Sequence, residues 1–206
     1  MTIGIIDVGI GNIGSLKGAL YNQGWDTETI TNPKNIAEMS HIILPGVGSY
    51  SSAMNRIVAA ELDEPIKQHV TDGKPLLGIC LGMHLLAEKG TEGGISRGLE
   101  LIQGDIIPLE KKTNFRLPHV GWNVVKFRKE HAVLKNIKSD VDFYFVHNFY
   151  FNASKIENVF GVTDHGMTYP SVVAEKNVIG LQFHPEKSQA NGLQILDNFC
   201  LWDGLC

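Results

Sequence analysis

The sequence is short of cysteine, of positive charge and of long apolar runs, and each shortage argues against a class of protein. Its 206 residues hold three cysteines, Cys80, Cys200 and Cys206, an odd number with no Cys-x-x-Cys spacing. That argues against a disulfide framework or a zinc site and suits a reducing compartment. Eighteen lysines and arginines stand against twenty-two acidic residues, a formal charge of -4. Electrostatics therefore give no reason to expect nucleic acid or an anionic membrane as partner. The one basic cluster, "KFRKEH" at 126–131, is short and interrupted by Glu130, as in a solvated turn. The longest apolar stretch, around Cys80, falls far short of the ~20 residues of a membrane span. "MTIGIIDVG" has no basic leader and reaches Asp7 too early for a signal peptide. A cytoplasmic protein is expected. His41, His69, His119, His131 and His165 have no metal-ligand spacing with one another, so no metal is expected either.

What is present is the composition of a globular domain, 43% hydrophobic and 19% charged, enough to bury a core. One domain over 1–206 is expected, without repeats or linkers. Buried strand-like runs, "TIGIID" (2–7), "HIILP" (41–45) and "KPLLGI" (74–79), alternate with helical spacing at 15–24, at 49–69 (with Pro65 as a break or kink) and at 81–90. Strands alternating with helices predict an α/β fold with a central, mostly parallel sheet flanked by helices. Beyond about residue 100 the texture is mostly strand-like, closed by an amphipathic helix over 193–202.

"GICLG" (78–82) has the form of a nucleophile elbow, Gly-x-nucleophile-x-Gly, at a strand-to-helix junction. Such a turn brings backbone against the nucleophile, so small residues are needed on both sides, and the next helix aims its first amides at the sulfur, where they stabilise negative charge. The alternative is a structural core cysteine. In "GLQFHPEKS" (180–188), His184 and Glu186 face one side if the backbone stays extended, and a carboxylate against a histidine fixes its tautomer. The alternative is a lone histidine beside a surface glutamate. "LPGVGSY" (44–50) frees backbone amides at Gly46, Val47 and Gly48, either as oxyanion donors or in an ordinary strand-to-helix turn. Phe143, Phe145, Phe149 and Phe151 alternate as a strand would bury them, and His147 beside them has a hydrogen-bonded core position as its plain reading.

Taken together and in this order, "IIDVGIGN", "LPGVGSY", "GICLGMHLL", "LPHVGWN", "YFVHNFYF" and "QFHPEKSQ" resemble the class I glutamine amidotransferases, and among them the glutaminase subunits of imidazole glycerol phosphate synthases, over essentially the whole chain. The resemblance implies a flavodoxin-like fold, a Cys80–His184–Glu186 triad, an oxyanion hole from Val47, Gly48 and Leu81, and hydrolysis of L-glutamine to glutamate and ammonia with no cofactor. It also implies a heterodimer with a (β/α)8-barrel cyclase subunit, which receives the ammonia through a channel in histidine biosynthesis. His84, Glu92, Asn148 and Phe149 fall where the family binds substrate, and Trp122, Tyr144 and Lys187 where it meets its partner. The sequence departs from the family at His84 (usually glutamine), Gly14 (usually arginine) and Phe149 (usually carrying a hydroxyl). These departures are also those expected of a paralogue that supplies ammonia for amino-sugar synthesis in surface polysaccharides. A cysteine peptidase and a non-catalytic binding module are the readings from other classes; the "HPE" spacing argues against the first and the complete triad against the second.

Overall fold

A computed structural model describes residues 1–110 and 115–205; Cys206 lies outside them. The first half runs β1 (Ile3–Ile6), α1 (Ile13–Tyr21), β2 (Thr27–Ile30), β3 (His41–Gly46), α2 (Tyr50–Ala59), α3 (Asp63–Thr71), β4 (Leu76–Cys80) and α4 (Leu81–Leu85). The second runs β5 (Lys89–Gly90), β6 (Ser96–Arg97), β7 (Gly104–Pro108), β8 (His119–Phe127), β9 (Val141–His147), β10 (Phe149–Ala153), β11 (Val159–Asp164), β12 (Thr168–Glu175), β13 (Val178–Leu181) and α5 (Gln189–Leu201).

Among the described residues, nine strands form one sheet in the order β2-β1-β3-β4-β13-β12-β11-β8-β9. Its first five members are parallel, in the 2-1-3-4-5 order of flavodoxin-like folds. The remaining strands are antiparallel, and β10-β7-β5-β6 make a second sheet. The central strands are buried on both faces, which explains why "HIILP" and "LLGIC" are continuous apolar runs rather than alternating ones. Successive side chains still part to opposite sides: Leu77, Ile79 and Ile43 pack with α1 and α5, whereas Leu76, Ile42 and Leu44 pack with α2 and α4. Ligands on such sheets bind beyond the carboxyl ends of the strands, and β4 ends on Cys80 in the middle of the row. No helix of the described residues is long and apolar enough to cross a membrane.

Local departures from the expected elements have local causes. The helical run at 49–69 is two helices, and the break is at Glu61 (φ 55°). Pro65 is instead the third residue of α3, where a missing amide hydrogen costs nothing. The helix after Cys80 stops at Leu85 rather than near Gly90. Its last carbonyls are taken by the returning chain, with Leu99 donating to Leu85 at 2.8 Å and Leu101 to Leu86 at 2.9 Å. The terminal helix begins earlier than its apolar spacing suggested, at Gln189.

Candidate active site

Cys80 is the last residue of β4 and the first flank of α4, at φ 53° and ψ -110°, a backbone conformation that L residues rarely adopt. Its glycine neighbours explain how the turn closes. A Cβ on Gly78 would stand 2.7 Å from the Gly82 carbonyl oxygen, and one on Gly82 would run into the Leu44 carbonyl of β3. Gly82→Ala is therefore expected to cost ~1–3 kcal/mol or more, the usual range for overpacking, read as a lower denaturation midpoint. A variant as stable as the parent would mean that α4 and β3 do not meet this closely.

The thiol of Cys80 donates to the Val146 carbonyl at 3.7 Å. The imidazole of His184, on the loop after β13, has Nδ1 at 2.9 Å from Glu186 Oε1, with both side chains about 5% exposed. The expectation of an extended His-x-Glu does not hold, because Pro185–Lys187 form a 3₁₀ turn. The turn, stiffened by Pro185, folds the carboxylate back onto the ring. Burial on its own would lower the pKa of His184, but interaction with Cys80 and Glu186 outweighs it and raises the value to about 10. Nε2 makes no hydrogen bond of normal geometry among the described residues. The interaction with Cys80 that raises the pKa is thus not a hydrogen bond of normal geometry, as is common before substrate binds.

Cys80 borders a cavity of about 260 Å³ lined by Val47, Gly48, Leu81, His84, Glu92, Asn148 and Phe149 among others. That is just under the ~300 Å³ at which drug-sized pockets begin, room for a ligand of amino-acid size. All the residues expected at the oxyanion hole and around the substrate therefore meet at one place. Gly46 pairs in register with Cys80 across β3 and β4. Of the two loop glycines, Gly48 alone has the open backbone angle, φ 107°; at Gly46 the reason for glycine is close approach, since a Cβ would stand 3.1 Å from that of Leu81. Glu92 has a second engagement, accepting the Tyr50 amide at 2.9 Å at the start of α2. His84 Nε2 lies 2.7 Å from Gln182 Oε1, and burial lowers its pKa to about 4 against the effect of that bond, which leaves it neutral.

The sequence gives no role to Gln182, Val146 or Pro118. All three lie inside the motifs above, but nothing local marks Val146 or Pro118 as a neighbour of Cys80, or Gln182 as the partner of His84. The three residues expected at a partner surface also meet: the rings of Trp122 and Tyr144 are 6.1 Å apart and edge-on, and Lys187 Nζ stands 5.6 Å over Tyr144. Trp122 is half-exposed. A larger open depression of about 1040 Å³, bordered by Arg128, Lys129, His131 and Lys135, shares no residue with the cysteine cavity.

The family model described as "Glutamine amidotransferase class-I" matches residues 4–202. A protein of Caldanaerobacter subterraneus subsp. tengcongensis named "Imidazole glycerol phosphate synthase subunit HisH" is 43% identical over 197 residues, 96% of each chain. One of the same name from Desulfitobacterium hafniense is 40% identical, over 97% of this chain and 94% of the relative. Among solved structures, one titled as a glutamine amidotransferase superposes with a TM-score of 0.76 over 98% of this chain and 99% of its own, at 16% identity. PurLQS from Thermotoga maritima superposes equally well, at 0.76 over 97% of each chain and 17% identity. At such identities the structures speak for the fold alone, an α/β sheet flanked by helices.

Proposed function

Because the chain belongs to the glutamine amidotransferase class-I family, we propose that it is the glutaminase subunit of an imidazole glycerol phosphate synthase, hydrolysing L-glutamine to glutamate and ammonia. The observation that carries this reading is the His184–Glu186 contact of 2.9 Å set beside an elbow cysteine. The Cys80 thiol gives its proton to His184, and the sulfur attacks the carboxamide carbon of glutamine. The oxyanion is held by the Leu81 amide and by the amides of Val47 and Gly48. His184, favoured as imidazolium, gives its proton to the leaving ammonia, and a thioester remains on Cys80. Water then attacks the thioester, His184 takes the proton from that water, and glutamate leaves. His84, Glu92, Asn148 and Phe149 surround the substrate.

The ammonia passes to a (β/α)8-barrel cyclase subunit, bound as a heterodimer, for imidazole ring closure in histidine biosynthesis. The Trp122, Tyr144 and Lys187 group is its docking surface; exposed aromatics with a cation beside them suit the centre of an interface. The names of the relatives at 43% and 40% identity favour this role over amino-sugar synthesis. One amidotransferase domain spans the chain, and its place of work is the reducing cytoplasm, where the reacting thiol stays free.

A glutaminase that ran without an acceptor would waste glutamine, and the "PGVG" loop is suited to prevent that. The open angle of Gly48 lets the Val47–Gly48 peptide, which carries the Gly48 amide, turn into or out of the site. Losing one oxyanion donor costs roughly 10²–10³-fold in kcat. Glutamate release by the chain alone is therefore expected to rise by about 10²–10³-fold when the barrel and its ligand are both added. Equal rates with and without the barrel would remove the switch; no glutamate under any of these conditions would remove the function.

A further inference from the structure

Three strands bring together four polar side chains, three of them buried, that amide hydrolysis does not itself call on. Asn123 and His119 come from β8, His147 from the end of β9, and Tyr169 from β12; His119, His147 and Tyr169 are 3%, 6% and 0% exposed. Their hydrogen bonds assign the protons. Asn123 Oδ1 accepts the Val124 amide at 2.8 Å, so the other end of the side chain is its nitrogen. That nitrogen donates to the Asp164 carbonyl at 2.8 Å and reaches His119 Nε2 at 3.2 Å. His119 therefore accepts at Nε2 and carries its proton on Nδ1. At the far end, His147 Nδ1 lies 2.8 Å from the Phe149 carbonyl, which can only accept, so Nδ1 holds the proton and Nε2 is a lone pair. The Tyr169 hydroxyl sits between, 2.8 Å from His119 Nδ1 and 3.1 Å from His147 Nε2. It accepts from the first and donates to the second.

His119 Nδ1 also lies 3.2 Å from His147 Nε2, so its hydrogen is shared between the hydroxyl oxygen and that lone pair, and the order works only while both rings are neutral. A further proton on His147 would set an N–H against the hydroxyl hydrogen of Tyr169. The surroundings oppose that proton as well. Burial chiefly holds His147 well below the usual histidine value, against the Phe149 bond. His119, under the stacked ring of His165 at 3.9 Å, is lowered to about 4 by burial and then by His165. Facing Tyr169 are Asp164, whose charge adds to burial in raising its pKa, and the ring of Tyr150.

We propose that Asn123, His119 and Tyr169 are positioning residues for the substrate cavity, fixing His147 as its Nδ1–H tautomer and thereby holding the 146–149 segment beside Cys80. His147, Asn148 and Phe149 line the cavity, and the carbonyl of Val146 receives the Cys80 thiol. The kinetic consequence rests on the glutaminase reading; the tautomers do not. Side-chain ¹⁵N spectra of the full chain should report His119 and His147 neutral and protonated on Nδ1 from pH 7 down to about 5. Either ring in the Nε2–H form, or titrating near 6.5, overturns the proposal. Tyr169→Phe keeps the ring and removes only the hydroxyl. In the barrel complex it should raise the KM for glutamine about tenfold, leave kcat within about threefold, and blur the His147 tautomer signal. A fall in kcat with KM unchanged would mean a merely structural role and would also overturn it, as would kinetics and spectra identical to the parent. A parent complex that releases no glutamate removes the functional reading, while the tautomer assignment stands or falls on its own spectra.

Discussion

Cys80→Ala is expected to lower glutamate release by ~10⁴-fold or more while the protein stays folded and the partner still makes its product from added ammonium. The loss is large because the thioester route has no substitute nucleophile; in subtilisin, removing the nucleophile costs ~10⁶ in kcat. The fold should survive because the change deletes one sulfur atom. The strained backbone at φ 53° strains alanine no more than cysteine. The partner reaction should survive because a cyclase that takes ammonia from this subunit needs only ammonia. Two assays on one preparation, glutamate formed from glutamine and product formed from ammonium, separate these outcomes. Ordinary glutaminase activity in Cys80→Ala would end the proposed mechanism.

His184→Ala should be nearly as damaging, ~10⁴-fold, and Glu186→Gln less severe than it by about one to two orders of magnitude. His184 moves the proton in both halves of the reaction, whereas Glu186 orients the ring at 2.9 Å and favours its imidazolium. Glutamine at 186 still offers an oxygen to Nδ1 but no charge. The pKa of His184 should then fall from about 10, so the alkaline limb of the activity profile should move to lower pH. Steady-state kinetics of both variants over pH 6–10 decide this. A Glu186→Gln variant worse than His184→Ala would mean that the two roles are misassigned.

The parts of this fold that are legible in the sequence are those governed by neighbours in the chain. Parallel strands buried on both faces must be apolar throughout, so β1, β3 and β4 stand out, and the elbow announces itself through Gly78 and Gly82. Elements decided by distant contacts are silent. Glu61 breaks a helical run with neither glycine nor proline to signal it, and α4 is cut short by residues 99–102 capping it from outside. The run from Phe143 to Phe151 reads as one alternating strand. In the structure it divides at Asn148, with Phe143 and Phe145 in the large sheet and Phe149 and Phe151 in the small one. The site follows the same rule. Cys80, His184 and Glu186 are each marked by their own motif, whereas the pairing of His84 with Gln182 spans 98 residues and that of His119 with Tyr169 spans 50. Only the register of the sheet creates those contacts.

The most direct test of the central claim, that Cys80 is the nucleophile toward glutamine, is covalent trapping by a glutamine analogue carrying a chloroketone, followed by peptide mass mapping. The cysteines provide their own control. Burial, with Asp197 adding to it, pushes the thiol of Cys200 up to about 12, and it is fully enclosed among α5 and the core. One adduct per chain on Cys80, blocked by excess glutamine and faster in the barrel complex, is the result expected. A complex that stays unlabelled, or that carries the adduct on another cysteine, would contradict the account.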